Sequence, residues 1–219
     1  MTASTILNTM QKIMFNDLYG LTEAVLDGRK TMTRRIIKFG DEIENMPIYG
    51  AYDKEYQCAF FSENNKDIST CAKSAYKVGE VVAIAQNYKD VHSACNPNDV
   101  RYKPYCTAYS VGFLEATNGW HNKMFVRADI MPNHIKITDI KVERLQDIPE
   151  EECLREGIME GEFLNTWDRY YFDTVGDVHN HHTFKTPRAA FAALIDKVGK
   201  KGTWASNPWV FAYSFELVD

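Results

Sequence analysis

The chain has 219 residues, 45% of them hydrophobic and 25% charged, which is long enough to bury a core without staples and far from the composition of a disordered chain. Thirty acidic against 25 basic residues leave a net charge of -5, which disfavours indiscriminate binding to phosphate backbones and requires any nucleic-acid site to be local. Five cysteines (Cys58, Cys71, Cys95, Cys106 and Cys153), an odd number with no CxxC pair, argue against a disulfide framework or zinc ribbon and for reduced thiols.

Residues 1–11 are polar and lack the unbroken apolar stretch of a signal peptide. No run approaches the roughly 18 apolar residues of a membrane span, so a cytoplasmic chain with no membrane partner is expected. A short apolar stretch at 13–15 leads into Asp17, after which Leu18, Leu21, Val25 and Leu26 recur at helical spacing. Gly28 stands where a glycine closes a helix. The segment that follows is a turn feeding a strand over 31–37. Between Gly28 and Phe39 it carries Arg29, Lys30, Arg34, Arg35 and Lys38 and no acid, which is the local cationic site the overall charge demands; the plainer alternative is a solvated strand and turn.

Residues 38–76 mix Gly, Pro, Asn and charge with weak periodicity and read as an excursion from the core. Val78-Gly79-Glu80 turns into a buried strand over 81–85. A second irregular region, 87–133, holds Asn96-Pro97-Asn98-Asp99, Lys103-Pro104 and Asn118-Gly119, turn chemistry that suggests short hairpins. In the next strand, 135–145, Ile135 and Ile137 are followed by Ile140 and Val142; the change of parity near Asp139 fits a β-bulge. Pro149 and the acids Glu150, Glu151 and Glu152 open a short helix that Gly157 closes, with Glu156 in its last turn.

Beyond it, Phe163, Trp167, Tyr170, Tyr171 and Phe172 suggest a packed lid, followed by a loop with His179, His181 and His182. Thr186-Pro187 caps a helix with Phe191, Leu194, Ile195 and Val198 on one face, ended by Gly199. Trp209, Phe211, Tyr213, Phe215 and Leu217 then alternate with Val210, Ala212, Ser214 and Glu216, the clearest strand pattern in the chain. Strands and short helices without a repeating βαβ unit indicate an α+β fold, mainly antiparallel, with a barrel as the natural closure. The chain reads as a single domain over 1–219 with insertions at about 38–76 and 87–133.

Four blocks carry a resemblance. Val25-Leu26-Asp27-Gly28-Arg29-Lys30-Thr31-Met32-Thr33-Arg34-Arg35 is similar to the Gly-x-Lys-Thr-x-Thr-x-Arg signature of the ASCH family. Tyr76-Lys77-Val78-Gly79-Glu80-Val81 is similar to that family's next block. Ile137 through Ile148, with Glu156-Gly157-Ile158 after it, resembles a third, and Asn207-Pro208-Trp209-Val210 with Phe215-Glu216 the closing strand. In this order the chain resembles the larger ASCH members, often carried by phages and prophages, over about half its length.

The resemblance implies a PUA-like β-barrel with short flanking helices, and a cleft beside the Gly-x-Lys-Thr turn for RNA or a modified nucleoside or nucleotide. Gly28, Arg29, Thr31, Arg34 and Arg35 would then contact the ligand. Small members of the family include an amidohydrolase that deacetylates N4-acetylcytidine. Matching motifs residue by residue puts the proton acceptor on Lys30, the nucleophile on Thr33 and the proton donor on Glu156. A threonine hydroxyl needs such a base, and a lysine serves when burial lowers its pKa; the helix C-terminus favours a protonated Glu156 and an adjacent Lys30 ammonium opposes it. Larger members follow the second block with an Arg-Glu pair and an aromatic, where this chain has Ala85-Gln86-Asn87-Tyr88. They also carry an arginine after a Met-Pro segment that is here Met131-Pro132-Asn133-His134. Arg127 and Arg101 are candidate substitutes.

Two classes of function follow: a module binding RNA or a modified nucleoside, with Tyr88 or Trp204 as stacking surfaces, and an amidohydrolase that needs Lys30, Thr33 and Glu156 in contact. A phage or mobile-element accessory protein acting through protein contacts is a third. His179, His181 and His182 lack the spacing of a known metal site and read as a solvated loop, so neither metal nor cofactor is expected. Nothing in the sequence sets an oligomeric state.

Overall fold

The structure is a computed structural model and describes residues 10–39, 49–62, 68–95, 111–161, 169–172, 174–175 and 182–218. In chain order the elements are β1 (Lys12–Ile13), α1 (Leu21–Leu26), β2 (Met32–Ile36), β3 (Tyr49–Asp53), β4 (Cys58–Ser62), β5 (Ile68–Lys73) and β6 (Val81–Ile84). Then come α2 (Tyr88–Ala94), α3 (Val111–Glu115), β7 (His134–Arg144), α4 (Glu150–Arg155), β8 (Met159–Glu160), β9 (Tyr170–Phe172) and β10 (His182–Phe184). The last are α5 (Pro187–Val198), α6 (Thr203–Ser206) and β11 (Trp209–Leu217). These elements fall into two compact units, Met1–Phe15 with Val81–Lys136 and Leu217–Asp219, and Asn16–Glu80 with Ile137–Glu216.

In the first unit β6 runs parallel to β1 and antiparallel to the opening residues of β7, with Val82 opposite Ile135. The helical part packs Tyr88, Val91, Leu114, Val126, Ile130 and Met131 into one apolar cluster with Ala83 and Ala85. Asn87 caps α2 by accepting from the Asp90 amide at 2.8 Å, and Tyr88 and Val91, one turn apart, are its buried face. Helices therefore occupy the described part of 87–133, where turn residues suggested hairpins; the cap at Asn87 outweighs turn composition. The motifs at 96–99 and 103–104 lie outside the described residues. Cys95 is disulfide-bonded, a correction to the expectation that every thiol is reduced.

The second unit is built on β11. It pairs antiparallel with β2, from Val210 opposite Ile36 to Ser214 opposite Met32, and neighbours β7 on its other side. Every residue of β11 from Trp209 to Phe215 is buried, so both faces of this sheet are covered, not one face as alternation alone implies. On one face Trp209 meets Phe61 of β4 with ring centroids 5.3 Å apart, and Phe211 meets Tyr52 of β3 at 6.3 Å. On the other, the Arg34 guanidinium lies 6.0 Å from the ring centroid of Phe191 on α5. Helix α5 starts where the Thr186 side chain accepts from the Ala189 amide at 3.1 Å, and it buries Ala190, Phe191 and Leu194.

Residues 49–62 and 68–73 form an antiparallel sheet in the order β3-β4-β5. The excursion expected at 38–76 is thus a folded layer whose Ala59 and Phe61 are buried; glycine and charge hid the short period-two pattern. Tyr170, Tyr171 and Phe172 are β9, the middle strand of the sheet β10-β9-β8, with Phe172 buried against Tyr19 at 5.9 Å. That places Phe172 in the packing, with Tyr170 and Tyr171 half-buried in the same strand. Phe163, Trp167, His179 and His181 lie outside the described residues. Leu18 is 53% exposed and precedes the helix it was grouped with. In β7 the buried positions pass from Ile135 and Ile137 to Ile140, the expected change of parity.

The fold is therefore α+β with several short helices. The sheets of each unit are open among the described residues, so the expected closed barrel is not found: β2 and β5 both stand as edge strands. No helix of the described residues is long and apolar enough to cross a membrane.

Candidate functional site

Three local features of the second unit bring the basic segment and the third block together. Gly28, at φ +72°, donates its amide to Val25 O at 3.0 Å and ends α1, because an L side chain is disfavoured in that conformation. The chain then reverses, with the Lys30 amide on Ala24 O and the Thr31 amide on Arg155 O. Opposite, Gly157 at φ +103° ends α4, leaving Glu156 as the residue whose backbone and side chain both face Lys30.

The result is a buried ionic cluster. Lys30 Nζ donates to Glu156 Oε2 at 2.6 Å and to the Glu156 carbonyl at 2.7 Å. Arg34 Nη1 donates to Glu156 Oε1 at 3.0 Å, its Nη2 to Glu143 at 2.6 Å and also to Glu152. Lys141 Nζ closes the chain on Glu152 Oε1 at 2.8 Å. Lys30, Arg34 and Glu156 are 2%, 7% and 3% exposed, so the charges stand only because each has a partner. Burial pushes Lys30 below the ordinary lysine value, Glu156 opposes that shift, and Arg35 and Arg34 reinforce it. Burial acts against charged Arg34 too, but Glu156 and Glu143 outweigh it and raise its pKa. For Glu152 burial raises the carboxyl pKa, yet Lys141 and Arg34 prevail and hold it below the carboxylate range.

The other face of β2 borders a cleft of about 440 Å³. Its walls come from 35–39, at the end of β2, and 70–73, on β5, with Phe211 and Tyr213 between them. Three cations, Arg35, Lys38 and Lys73, line it together with the aromatic Phe39, and no acidic residue does. Lys38 and Lys73 make no ion pair among the described residues. Tyr213 is held by its hydroxyl, which lies 3.0 Å from Ser74 Oγ and accepts from the Ala75 amide at 3.3 Å. Burial raises the Tyr213 pKa, and that of the neighbouring Tyr76, so both phenols stay protonated donors at neutral pH.

Of the residues singled out in the sequence, Lys30 and Glu156 are in direct contact and Arg34 joins them. Thr33 is buried, but it stands opposite Tyr213 in the β2-β11 register. The pleat therefore turns it to the side of Arg35 and away from Arg34, and its hydroxyl makes no hydrogen bond among the described residues. Arg29 is exposed and pairs with Asp27 at 3.0 Å. Thr31 Oγ1 accepts from Arg155 Nε at 3.0 Å. Arg35 reaches the cleft.

Tyr88 is buried, its hydroxyl accepting from the Arg127 amide, and Trp204 packs edge-on to Phe191 at 6.2 Å, so neither is a free stacking surface. Arg127 is paired with Asp129; Arg101 lies outside the described residues. Lys73, Phe211 and Tyr213 were not picked out as site residues, since only the pairing of β2 with β11 and the approach of β5 put them beside Arg35. Lys38-Phe39 was findable, as the continuation of the basic run.

No group of three or more potential metal ligands occurs among the described residues. Comparison of the chain with protein-family models, with curated proteins and with solved structures returns no match.

Proposed function

We propose that the chain is an ASCH-type, PUA-like protein that binds RNA or a modified nucleotide in the cleft at the Arg35 end of the Gly28-to-Arg35 segment, lined by Arg35, Lys38 and Lys73. One observation carries the reading: three cations and an aromatic group line a concavity that has no acid in it, on a chain whose net charge is -5. Cations take phosphate oxygens and aromatic faces take bases. A volume of about 440 Å³ lies in the range of small-ligand sites, roughly 300–1,000 Å³. The buried cluster behind β2 supports this division of labour, because Arg34 is held internally while Arg35 lines the cleft.

The test is a salt series of binding to a short single-stranded RNA and to cytidine monophosphate, with the wild type and Lys73→Ala. Wild-type affinity for the RNA falls as salt rises. Lys73→Ala makes the slope of log K against log salt shallower by about 0.7, the value for one phosphate no longer neutralised. Salt-independent binding, or a variant with the wild-type slope, refutes the site.

A second reading, hydrolysis of an N4-acylated cytidine, is favoured by the 2.6 Å contact of Lys30 with Glu156 and by the lowered pKa of Lys30. It requires the Thr33 hydroxyl to meet that pair from the other side of β2. Ultraviolet assay of N4-acetylcytidine with wild type, Lys30→Met and Thr33→Ala decides it: turnover abolished in both variants supports the enzyme, and turnover retained in Thr33→Ala removes the nucleophile.

A further inference from the structure

Cys71 is exposed and Cys58 half-buried, and both are free thiols. Cysteine is among the residues most often buried in proteins, so packing does not explain one at an exposed position of a strand. The β4-β5 register sets Cys58 opposite Lys73 and Phe60 opposite Cys71, which makes the two cysteines diagonal neighbours on one face of the sheet. Cys71 is close enough to Cys58 to act on its titration. Ala59, between Cys58 and Phe60, points to the other face and is buried, so the cysteine face is the outward one. Strand β5 is the edge of its sheet, and a reagent reaches Cys71 without passing another strand.

We propose that Cys71 and Cys58 form a reversible thiol–disulfide site, in which Cys71 takes the first attack on a low-molecular-weight disulfide and Cys58 resolves it. In the first step the Cys71 thiolate attacks one sulfur of the reagent, forming a mixed disulfide and releasing one thiolate. In the second the Cys58 sulfur attacks the Cys71 sulfur, the protein disulfide forms and the second half of the reagent leaves as a thiolate. Two protein thiols are oxidised, and one reagent disulfide is reduced to two thiols. The roles follow from position: Cys71 is the accessible thiol, and burial pushes the Cys58 thiol up, with Cys71 adding to the shift and Lys73 opposing it. The raised Cys58 thiol gives up its proton to the departing thiolate as its sulfur attacks the Cys71 sulfur already beside it. The site does not depend on the ligand proposed for the neighbouring cleft, although Cys71 also lines that cleft.

The test treats the folded chain, Cys58→Ser and Cys71→Ser with oxidised glutathione, quenches in acid and reads intact mass and peptide maps; circular dichroism confirms that each variant is folded. Wild type becomes two hydrogens lighter with a Cys58–Cys71 link, and dithiothreitol restores it. Cys58→Ser stops at a glutathione adduct on Cys71, and Cys71→Ser reacts at least about tenfold more slowly. A wild type that accumulates the Cys71 adduct, one that does not react, or a Cys71→Ser variant that reacts at the wild-type rate overturns the proposal.

Discussion

Replacing Glu156 by Gln tests the buried cluster most directly. The carboxylate takes Lys30 at 2.6 Å and Arg34 at 3.0 Å with only 3% of the residue exposed, and glutamine keeps the shape while removing the charge. Arg34 retains Glu143 and Glu152, so the loss falls on Lys30, which keeps the Glu156 carbonyl at 2.7 Å as a strong acceptor. Breaking one side of a buried ion pair costs about 3–5 kcal/mol; the surviving acceptor places this case near the lower end, about 3 kcal/mol.

The penalty depends on pH in a defined direction. Lys30 lies below its ordinary value of 10.5 in the folded chain. Below that lowered value, folded and unfolded chains both carry the proton and the whole penalty applies. As pH rises through it towards 10.5, the folded chain gives up the proton first and stability climbs. Without the Glu156 charge the folded value drops further, so the variant begins its climb at lower pH and the gap to wild type narrows. Urea unfolding followed by tryptophan fluorescence at about pH 7 and about pH 9.5 measures both quantities. A variant within about 0.5 kcal/mol of wild type at neutral pH, or a gap that widens as pH rises, refutes the account of Lys30 as a buried charge held by Glu156.

Thr186→Ala removes the cap of α5, whose side-chain oxygen accepts from Ala189, and lowers stability by about 1 kcal/mol in the same unfolding assay. Gly157→Ala forces a side chain onto φ +103° with its Cβ 3.2 Å from Leu21 Cδ2, and costs on the order of 1–3 kcal/mol; because Glu156 is adjacent, near-ultraviolet circular dichroism checks that the cluster persists. The Cys153 thiol is buried and pushed up to about 12, so iodoacetamide leaves it unmodified in the native chain and labels it in urea, read by peptide mass spectrometry.

Local chemistry sufficed for several elements. Gly28 and Gly157 mark the ends of α1 and α4 because glycine tolerates positive φ, Thr186-Pro187 marks the start of α5, and the period-two run of aromatics marks β11. The basic run also marked where cations gather, since charge is a property of composition. The face on which each charge acts was not legible. Arg34 and Arg35 are adjacent and chemically identical, yet the pleat sends one into a carboxylate cluster and the other to a cleft, and which is which depends on what covers the two faces of β2. The layer of β3, β4 and β5 was missed for the same reason: its strands are too short to show a period alone and are held by one another and by Trp209 and Phe211. Sequence determined where turns, caps and cations fall, because those depend on a few consecutive residues; tertiary structure alone decided the partners of Lys30, Arg34, Lys73 and Cys71, because each meets groups distant in the chain that only the packed sheets bring within reach.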